Sequence, residues 1–337
     1  MFIPKNKFMQ IQQIIGADLS KKTIDLVCHL TKMHMQIQNN ITGFKDMVKW
    51  LKQQSINPAE VMIVMEHTGL YSYCFENYLH QHHIAFTKIN ALTIKRSLGL
   101  VRGKNDKIDA KRIASYGYEK KDQLQHHSVV EKDLQRLQLL HSTRARLVKQ
   151  RAATTCAIKE YKNIGIPETD ILMRSQLQII AAFDKQIEKL ENEISAVVKT
   201  NEPLNKNFKL LVSIKGVGKV LALNTIIKTN NFTKFSDARK FACYCGTAPF
   251  EHTSGSSIKG KTRVSHLADK QMKTLLDLSA KSAIQYDKEL REFYTRRLEI
   301  GKSKMSTINI VRNKILYRMF AVVKRQTLFI DNYIQAA

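Results

Sequence analysis

Three things are scarce in this sequence, and each scarcity argues against a class of protein. No apolar run approaches the roughly 20 residues that a membrane-spanning helix requires, and the opening MFIPKNKFMQ lacks the apolar core and cleavage site of a secretory leader. A cytoplasmic protein with no membrane segment is expected. Cysteine is sparse and scattered: Cys28, Cys74, Cys156, Cys243 and Cys245 make an odd set with no paired spacing, which argues against a disulfide framework. Cys243 and Cys245 flank one tyrosine, but no second cysteine or histidine pair follows at zinc-finger spacing. Negative charge is the third shortage, with 29 acidic residues against 55 lysines and arginines and a formal net charge of +26. A polyanionic partner is the simplest cause. Charge alone does not separate DNA from RNA or from an anionic membrane, because attraction to phosphate carries no sequence information.

What is present reads as two or three domains, the number that 337 residues allow. From Ile14 the run IIGADLSKKTIDLVCHL gives two short β-rich stretches joined by a polar turn, the first ending at Asp18. Residues 43–54 follow helical spacing, and VMIVM at 61–65 is a continuous apolar run suited to a buried central strand that ends at Glu66. HTGLY then supplies a turn before a helix through His80, and the strand IAFTKI precedes a helical stretch containing KNDKIDAKRIASYGY. Antiparallel strands followed by strand-helix alternation imply a mixed α/β domain over residues 10–118.

Beyond Glu119 the strand signal gives way to long helices over 119–202, broken at Asn163 to Pro167. Ile180, Phe183, Ile187, Leu190, Ile194 and Val197 form a heptad seam, which suits either a helical hairpin packing on itself or a contact between subunits. Pro203 opens a third, mainly helical segment, 203–326. There FKLLVSIKGVGKVLALNTI places Gly216 and Gly218 in a turn between two helices, like a helix-hairpin-helix element. Such a turn exposes backbone N–H groups to a phosphate, with Lys215 and Lys219 beside it; an ordinary helix-helix turn is the alternative. HTSGSSIKGKTRVSH, residues 252–266, reads as a loop, and basic helices follow.

Four carboxylates stand at the ends or accessible faces of these elements: Asp18, Glu66, Asp106 and Asp109. The last two, three apart on a helix, share nearly one face. Each alone can be a turn, cap or first-turn residue. Together they form an oxygen-donor set suited to hard cations, with Mg²⁺ (or Mn²⁺) the implied cofactor for phosphodiester cleavage. His80, His82, His83, His126 and His127 lie in polar helical surroundings and read as solvated surface residues rather than metal ligands.

The segments GADLSKK, MEHTGLY and GKNDKIDAKRIA resemble the N-terminal domain of the IS110 family of transposases. GVGKVLAL and YCGTAPFEHTSGSSIKGKTRVSHLADKQMKTLL resemble its C-terminal transposase domain, with a serine segment like that of the IS1111-type branch. The resemblance covers nearly the whole chain in the right order. It implies a RuvC-like, RNase H-type fold for residues 10–118, with Asp18, Glu66, Asp106 and Asp109 as the metal-binding set. It also implies a covalent serine nucleophile, Ser254, ahead of its rivals Ser256 and Ser257. Lys259, Lys261 and Arg263 would hold backbone phosphates. DNA, a structured bridge RNA and a homo-oligomer, dimer or tetramer, are the partners implied. The competing readings are a metal-dependent nuclease or Holliday-junction resolvase using water, which needs no Ser254, and an inactive nucleic-acid-binding relic. An actin-like sugar kinase, suggested by IIGADLSKK alone, lacks a second phosphate motif.

Overall fold

The computed structural model describes residues 11–331 apart from 68, 100–102, 104, 128–129, 236 and 255–257; at 70, 252–254, 258, 259 and 261 it describes the backbone alone. The chain divides into two compact units, Met1–Val129 and Val130–Ala337.

In the first unit β1 (Gln13–Leu19), β2 (Thr23–Cys28) and β3 (His34–Gln38) precede α1 (Ile41–Gln53). Then come β4 (Val61–Glu66), α2 (Tyr73–Gln81), β5 (Ala85–Ile89), α3 (Ala91–Ser97) and α4 (Asp106–Glu119). The sheet order is β3-β2-β1-β4-β5, with β1 antiparallel to β2 and β2 to β3, and β4 parallel to both β1 and β5. This is the mixed sheet expected of a RuvC-like domain.

Side chains alternate between the two faces of a strand, and each face here has its own apolar cluster. Ile15, Ala17, Ile63 and Met65 pack with Phe44, Met47 and Leu51 of α1 and Phe75 and Leu79 of α2. Ile14, Met62 and Val64 point the other way and pack with Ile94 and with Ile113 of α4. Helices on both faces explain why VMIVM is apolar throughout rather than alternating.

The second face is unusually close to its helix. An added Cβ at Gly16 would lie 2.2 Å from the Ala110 carbonyl oxygen and 2.3 Å from the Ala114 nitrogen, both backbone atoms. At Gly117 a Cβ would meet Val64 and Ile14 side-chain atoms at 2.7 and 2.9 Å. Two glycines, one on each element, let α4 lie directly on β1 and β4.

The second unit opens with α5 (Lys132–Asn163) and α6 (Ile171–Thr200), which pack against each other as a helical hairpin. Arg136 and Arg144 of α5 pair with Glu193 and Glu191 of α6 at 3.2 and 2.6 Å. Ile194 is buried and Ile180, Phe183, Ile187, Leu190 and Val197 are half-buried, so the heptad seam packs within the chain. α7 (Glu202–Val212), α8 (Lys219–Thr229), α9 (Ala238–Cys245), α10 (Lys270–Tyr286), α11 (Lys288–Glu299) and α12 (Lys304–Arg325) make up the rest, around a core that includes Leu211, Ile226, Phe241, Leu276, Ile315 and Met319.

Between α9 and α10 the structure departs from the sequence expectation. Much of 252–266, read as a loop, belongs to an antiparallel hairpin of β6 (Pro249–Ser254) and β7 (Ile258–Val264). In β7 the period of two expected of a half-exposed strand is interrupted, because Lys261 and Thr262 stand opposite the single Glu251. The Ser and Gly content of the segment conceals that period.

Gly16→Ala is expected to lower the urea midpoint of the protein at unchanged slope. The offending neighbours are backbone and cannot rotate away, so the cost reaches or exceeds the ~1–3 kcal/mol typical of overpacking.

Candidate active site

The acidic corner follows from the same close packing. Positions 14, 16 and 18 of β1 share one face, as do 62, 64 and 66 of β4, and this is the face on which α4 lies. Register places Ala17 beside Met65 in the parallel pair, so Asp18 and Glu66 come next, side by side where the two strands run out. α4 begins with Asp106 and carries Asp109 in its first turn, where the helix dipole favours acidic residues. Asn105 caps it, its side-chain oxygen accepting a hydrogen bond from the Ile108 N–H at 2.8 Å.

The field in this corner is strongly negative at Asp18. Its carboxyl is pushed up from 3.8 to about 6, first by burial and then by repulsion from Asp106, Asp109, Glu66 and Asp25. The other three carboxylates singled out in the sequence therefore all act on Asp18. Asp109 also pairs with Arg112 at 2.9 Å, and the same guanidinium donates to the Gly103 carbonyl at 3.0 Å. Among the described residues, no group of three or more His, Cys, Asp or Glu side chains stands close enough to enclose an ion. The donor set nonetheless fits a hard divalent cation: every donor is a carboxylate oxygen, and the repulsion borne by Asp18 is what such an ion relieves.

Asp25 is the residue that sequence reasoning missed. It lies directly opposite Asp18 in the β1–β2 register and is buried. His34 Nε2 stands 2.6 Å from its Oδ1, and Gln36 donates to its Oδ2 at 3.0 Å. Counting outward from a four-residue turn, SKKT at 20–23, pairs Leu19 with Ile24 and Asp18 with Asp25, so the signal was available once the two runs were taken as a hairpin with that turn. The rim is tied as well. Asn39 donates to the carbonyls of Ser20 and Tyr71 at 2.9 and 3.0 Å, joining the β1–β2 turn to the segment after Glu66.

In the second unit, Ser254 is the last residue of β6, its backbone paired with Ile258. Gly255, Ser256 and Ser257 lie outside the described residues, as do the side chains of Ser254, Lys259 and Lys261. Arg263 is exposed and sits opposite Phe250. The root of the hairpin is held by α12, from which Asn309 and Asn313 both donate to the Thr247 carbonyl, at 2.8 and 2.9 Å.

The Gly-rich turn joins α7 to α8 as expected, with Lys215, Gly218 and Lys219 exposed. Gly216 does more than turn the chain. Its φ is +86°, a Cβ there would lie 2.7 Å from the Ala283 Cβ, and its carbonyl accepts a 2.7 Å hydrogen bond from Ser279, so this glycine seats the turn on α10. Lys215 pairs with Asp331. His80, His82 and His83 are exposed, whereas His126 and His127 are half-buried with their rings near Phe86.

The mixed sheet and the acidic corner at the ends of its adjacent parallel strands define the class, a RuvC-like domain of DEDD type joined to a helical unit. Comparison with known proteins narrows it. A transposase model of the IS110 DEDD type matches residues 15–161, and the model of the Transposase IS116/IS110/IS902 family matches residues 208–295. The pilin gene-inverting proteins of Moraxella bovis and Moraxella lacunata are each 27% identical over 328 residues, covering 94% of this chain and 97% of the relative. An uncharacterized 43.6 kDa protein of insertion element IS110 from Streptomyces coelicolor is 27% identical over 165 residues, 49% of this chain and 40% of its own length. The chain belongs to the IS110 family of transposases and is a DNA-binding recombinase enzyme. A DEDD domain of this kind points to dependence on a divalent metal. Among the described residues no helix is long and apolar enough to cross a membrane.

The raised Asp18 carboxyl sets a pH dependence. Because the folded value lies above the ordinary one, ionising Asp18 costs stability, fully above about pH 6 and not at all well below 3.8. Asp18→Asn is therefore expected to raise the melting temperature of the metal-free protein at pH 7, and to give no gain at pH 3. A gain of equal size at both values would show that ionisation of the buried Asp18 is not its source.

Proposed function

We propose that this transposase cuts and rejoins DNA through a covalent bond to Ser254, with Asp18, Glu66, Asp106 and Asp109 as the acidic half of its machinery. What carries the reading is the order of parts in one chain. A DEDD unit brings four carboxylates to act on a single corner, and a transposase unit follows that bears Ser254 at the end of an anchored strand. A hydrolytic nuclease would need only the first.

Attack of the Ser254 hydroxyl oxygen on a backbone phosphorus forms a new P–O bond, while the deoxyribose oxygen leaves as a hydroxyl with the proton that serine gives up. The bond energy is stored in the phosphoserine, so a second DNA hydroxyl can reverse the step and join a new strand without an outside energy source. A divalent cation held by Asp18, Glu66, Asp106 and Asp109, Mg²⁺ or Mn²⁺, would stabilise charge on the oxygens exchanging at phosphorus. Arg112 holds Asp109 on the helix face, and Asn105 fixes the first turn that carries both aspartates. Lys259, Lys261 and Arg263 of β7, with Lys215, Lys219 and the Gly216–Gly218 turn, would hold phosphates on either side of the cut.

The names of the Moraxella relatives describe inversion of a pilin gene, an exchange between two DNA sites, and the same class of reaction is proposed here. A structured bridge RNA, pairing with donor and target, is the guide that the family resemblance implies. The net charge of +26 suits two nucleic acids at once.

Incubated with DNA carrying its recombination site and Mg²⁺, the wild-type protein is expected to form an adduct that survives denaturing electrophoresis. Ser254→Ala should abolish the adduct, and Asp18→Ala should abolish it while leaving DNA affinity in place. Wild-type strand transfer by Ser254→Ala would reject the serine mechanism.

Exchange between two duplexes also calls for more than one subunit. Leu172 and Ile179, seven residues apart on α6, are 47% and 42% exposed, and they suit a contact between copies of the hairpin. Light scattering of the wild type should give a dimer or tetramer, and the double variant Leu172→Glu, Ile179→Glu should shift it toward monomer. A wild type that is monomeric with and without nucleic acid would remove the oligomer.

A further inference from the structure

The root of the β6–β7 hairpin carries an open cavity of about 730 Å³, lined in part by Arg263, for which a phosphate is proposed above. Its size falls within the ~300–1,000 Å³ of small-ligand sites. Its walls are Phe250 and Leu267, 48% and 57% exposed, and its polar groups are Glu251, Arg263 and Ser265. The hairpin builds it through an irregularity of register. Phe250 pairs with Arg263 and His252 with Gly260, so two residues of β7, Lys261 and Thr262, oppose the single Glu251. A regular strand would send positions 260 and 263 to opposite faces; this bulge brings both to the face of Phe250. Gly260, with no side chain, leaves room there, and Arg263 brings a guanidinium beside the aromatic ring.

An exposed aromatic with an arginine directly across the strand pair is a combination that binds unpaired nucleotides: the ring stacks a base and the guanidinium takes the adjoining phosphate. Arg263 makes no ion pair among the described residues, so its charge is available. Glu251 adds discrimination. A carboxylate accepts hydrogen bonds and donates none, so it favours a base edge that carries an amino group, as cytosine does, over thymine, whose corresponding edge is a carbonyl.

We propose that this cavity receives one unpaired, amino-bearing base of the DNA strand, stacked on Phe250, with its edge read by Glu251 and its phosphate held by Arg263. The proposal rests on the reading that this hairpin engages DNA for strand cleavage, since it places the base a few residues from Ser254. A base lodged there would fix which phosphate stands before the serine, and the cavity would then contribute to choice of the cut site.

The test is equilibrium binding of fluorescein-labelled dC12, dT12 and rC12 to the full chain without metal, where no cleavage enters. Wild type should bind dC12 several-fold tighter than dT12, and at least as tightly as rC12. Phe250→Ala should weaken both DNA oligomers by about tenfold, Phe250→Trp should restore binding, and Glu251→Ala should equalise dC12 and dT12. Arg263→Gln should reduce the salt slope by about one phosphate contact. Phe250 is half exposed, so its loss leaves the core intact. Wild-type affinity in Phe250→Ala, equal binding of dC12 and dT12 by the wild type, or tighter binding of rC12 would each overturn the proposal. Because the assay needs no chemistry, a cytosine preference that persists alongside a failed adduct experiment would reject the serine mechanism and leave the base site standing.

Discussion

The backbone contact between β1 and α4 at Gly16 is the constraint on which the acidic corner depends. A helix on a sheet is ordinarily held off by side chains, but here the Ala110 carbonyl and the Ala114 nitrogen occupy the space a Cβ would need. Such an approach fixes the helix along its axis as well as in height, because sliding it would drive Ala110 or Ala114 into the strand. The first turn of α4 is thereby set relative to Asp18, two residues beyond Gly16. Gly117 repeats the device further along, against Ile14 and Val64. Two glycines that contribute no chemistry position four carboxylates that can.

Bringing like charges together has a cost, and the structure shows where it falls. Asp18 bears it as a raised carboxyl. Asp25, directly across the strand pair, has both oxygens engaged by His34 and Gln36, so it adds negative field at Asp18 while its own carboxylate is already partnered. Asp109 is engaged by Arg112. The corner is thus assembled with some of its charge already committed.

How much of this was legible in the sequence depended on how local the signal was. β4 declared itself because both of its faces are covered, leaving no polar position in VMIVM. α4 declared itself through the helical run KNDKIDAKRIASYGY and its acidic first turn. β3 did not: HMQIQ offers two apolar residues in five, and its place is set by pairing with β2 rather than by its own composition. The same holds for β6 and β7, whose partners are each other and whose Ser and Gly content imitates a loop. The heptad seam left two roles open, and ion pairs such as Arg144 with Glu191, 47 residues apart, now show it packing within the chain. Gly216 looked like a residue for a ligand; its contact with α10 became visible only when Ala283, 67 positions away, was placed beside it. Turn, cap and run could be read from neighbours, whereas pairings and close approaches could not.

The distribution of acidic residues bears on how such a protein meets DNA. In the second unit three aspartates are paired in buried or half-buried positions: Asp269 with Lys228 at 2.8 Å, Asp287 with Arg318 at 2.6 Å, and Asp277 with Lys281 at 2.8 Å and with Arg312. Asp269 illustrates the balance. Burial pushes its carboxyl up, yet hydrogen bonds from Lys228, the Met272 N–H and the Tyr244 hydroxyl outweigh it and hold the group below its usual range. Acids paired in this way are largely neutralised where they stand, so they subtract little from the attraction that the net positive charge exerts on phosphate. In the first unit the opposite holds at one corner, where burial and the neighbouring carboxylates raise the affinity of Asp18 for a proton. A DNA phosphate is drawn to the chain as a whole and repelled from that corner. Since charges on a surface are screened beyond ~8 Å at physiological salt, attraction elsewhere cannot cancel repulsion at contact distance. A cation between carboxylate and phosphate can, and the oxygen-only donor set at Asp18, Glu66, Asp106 and Asp109 is suited to holding one.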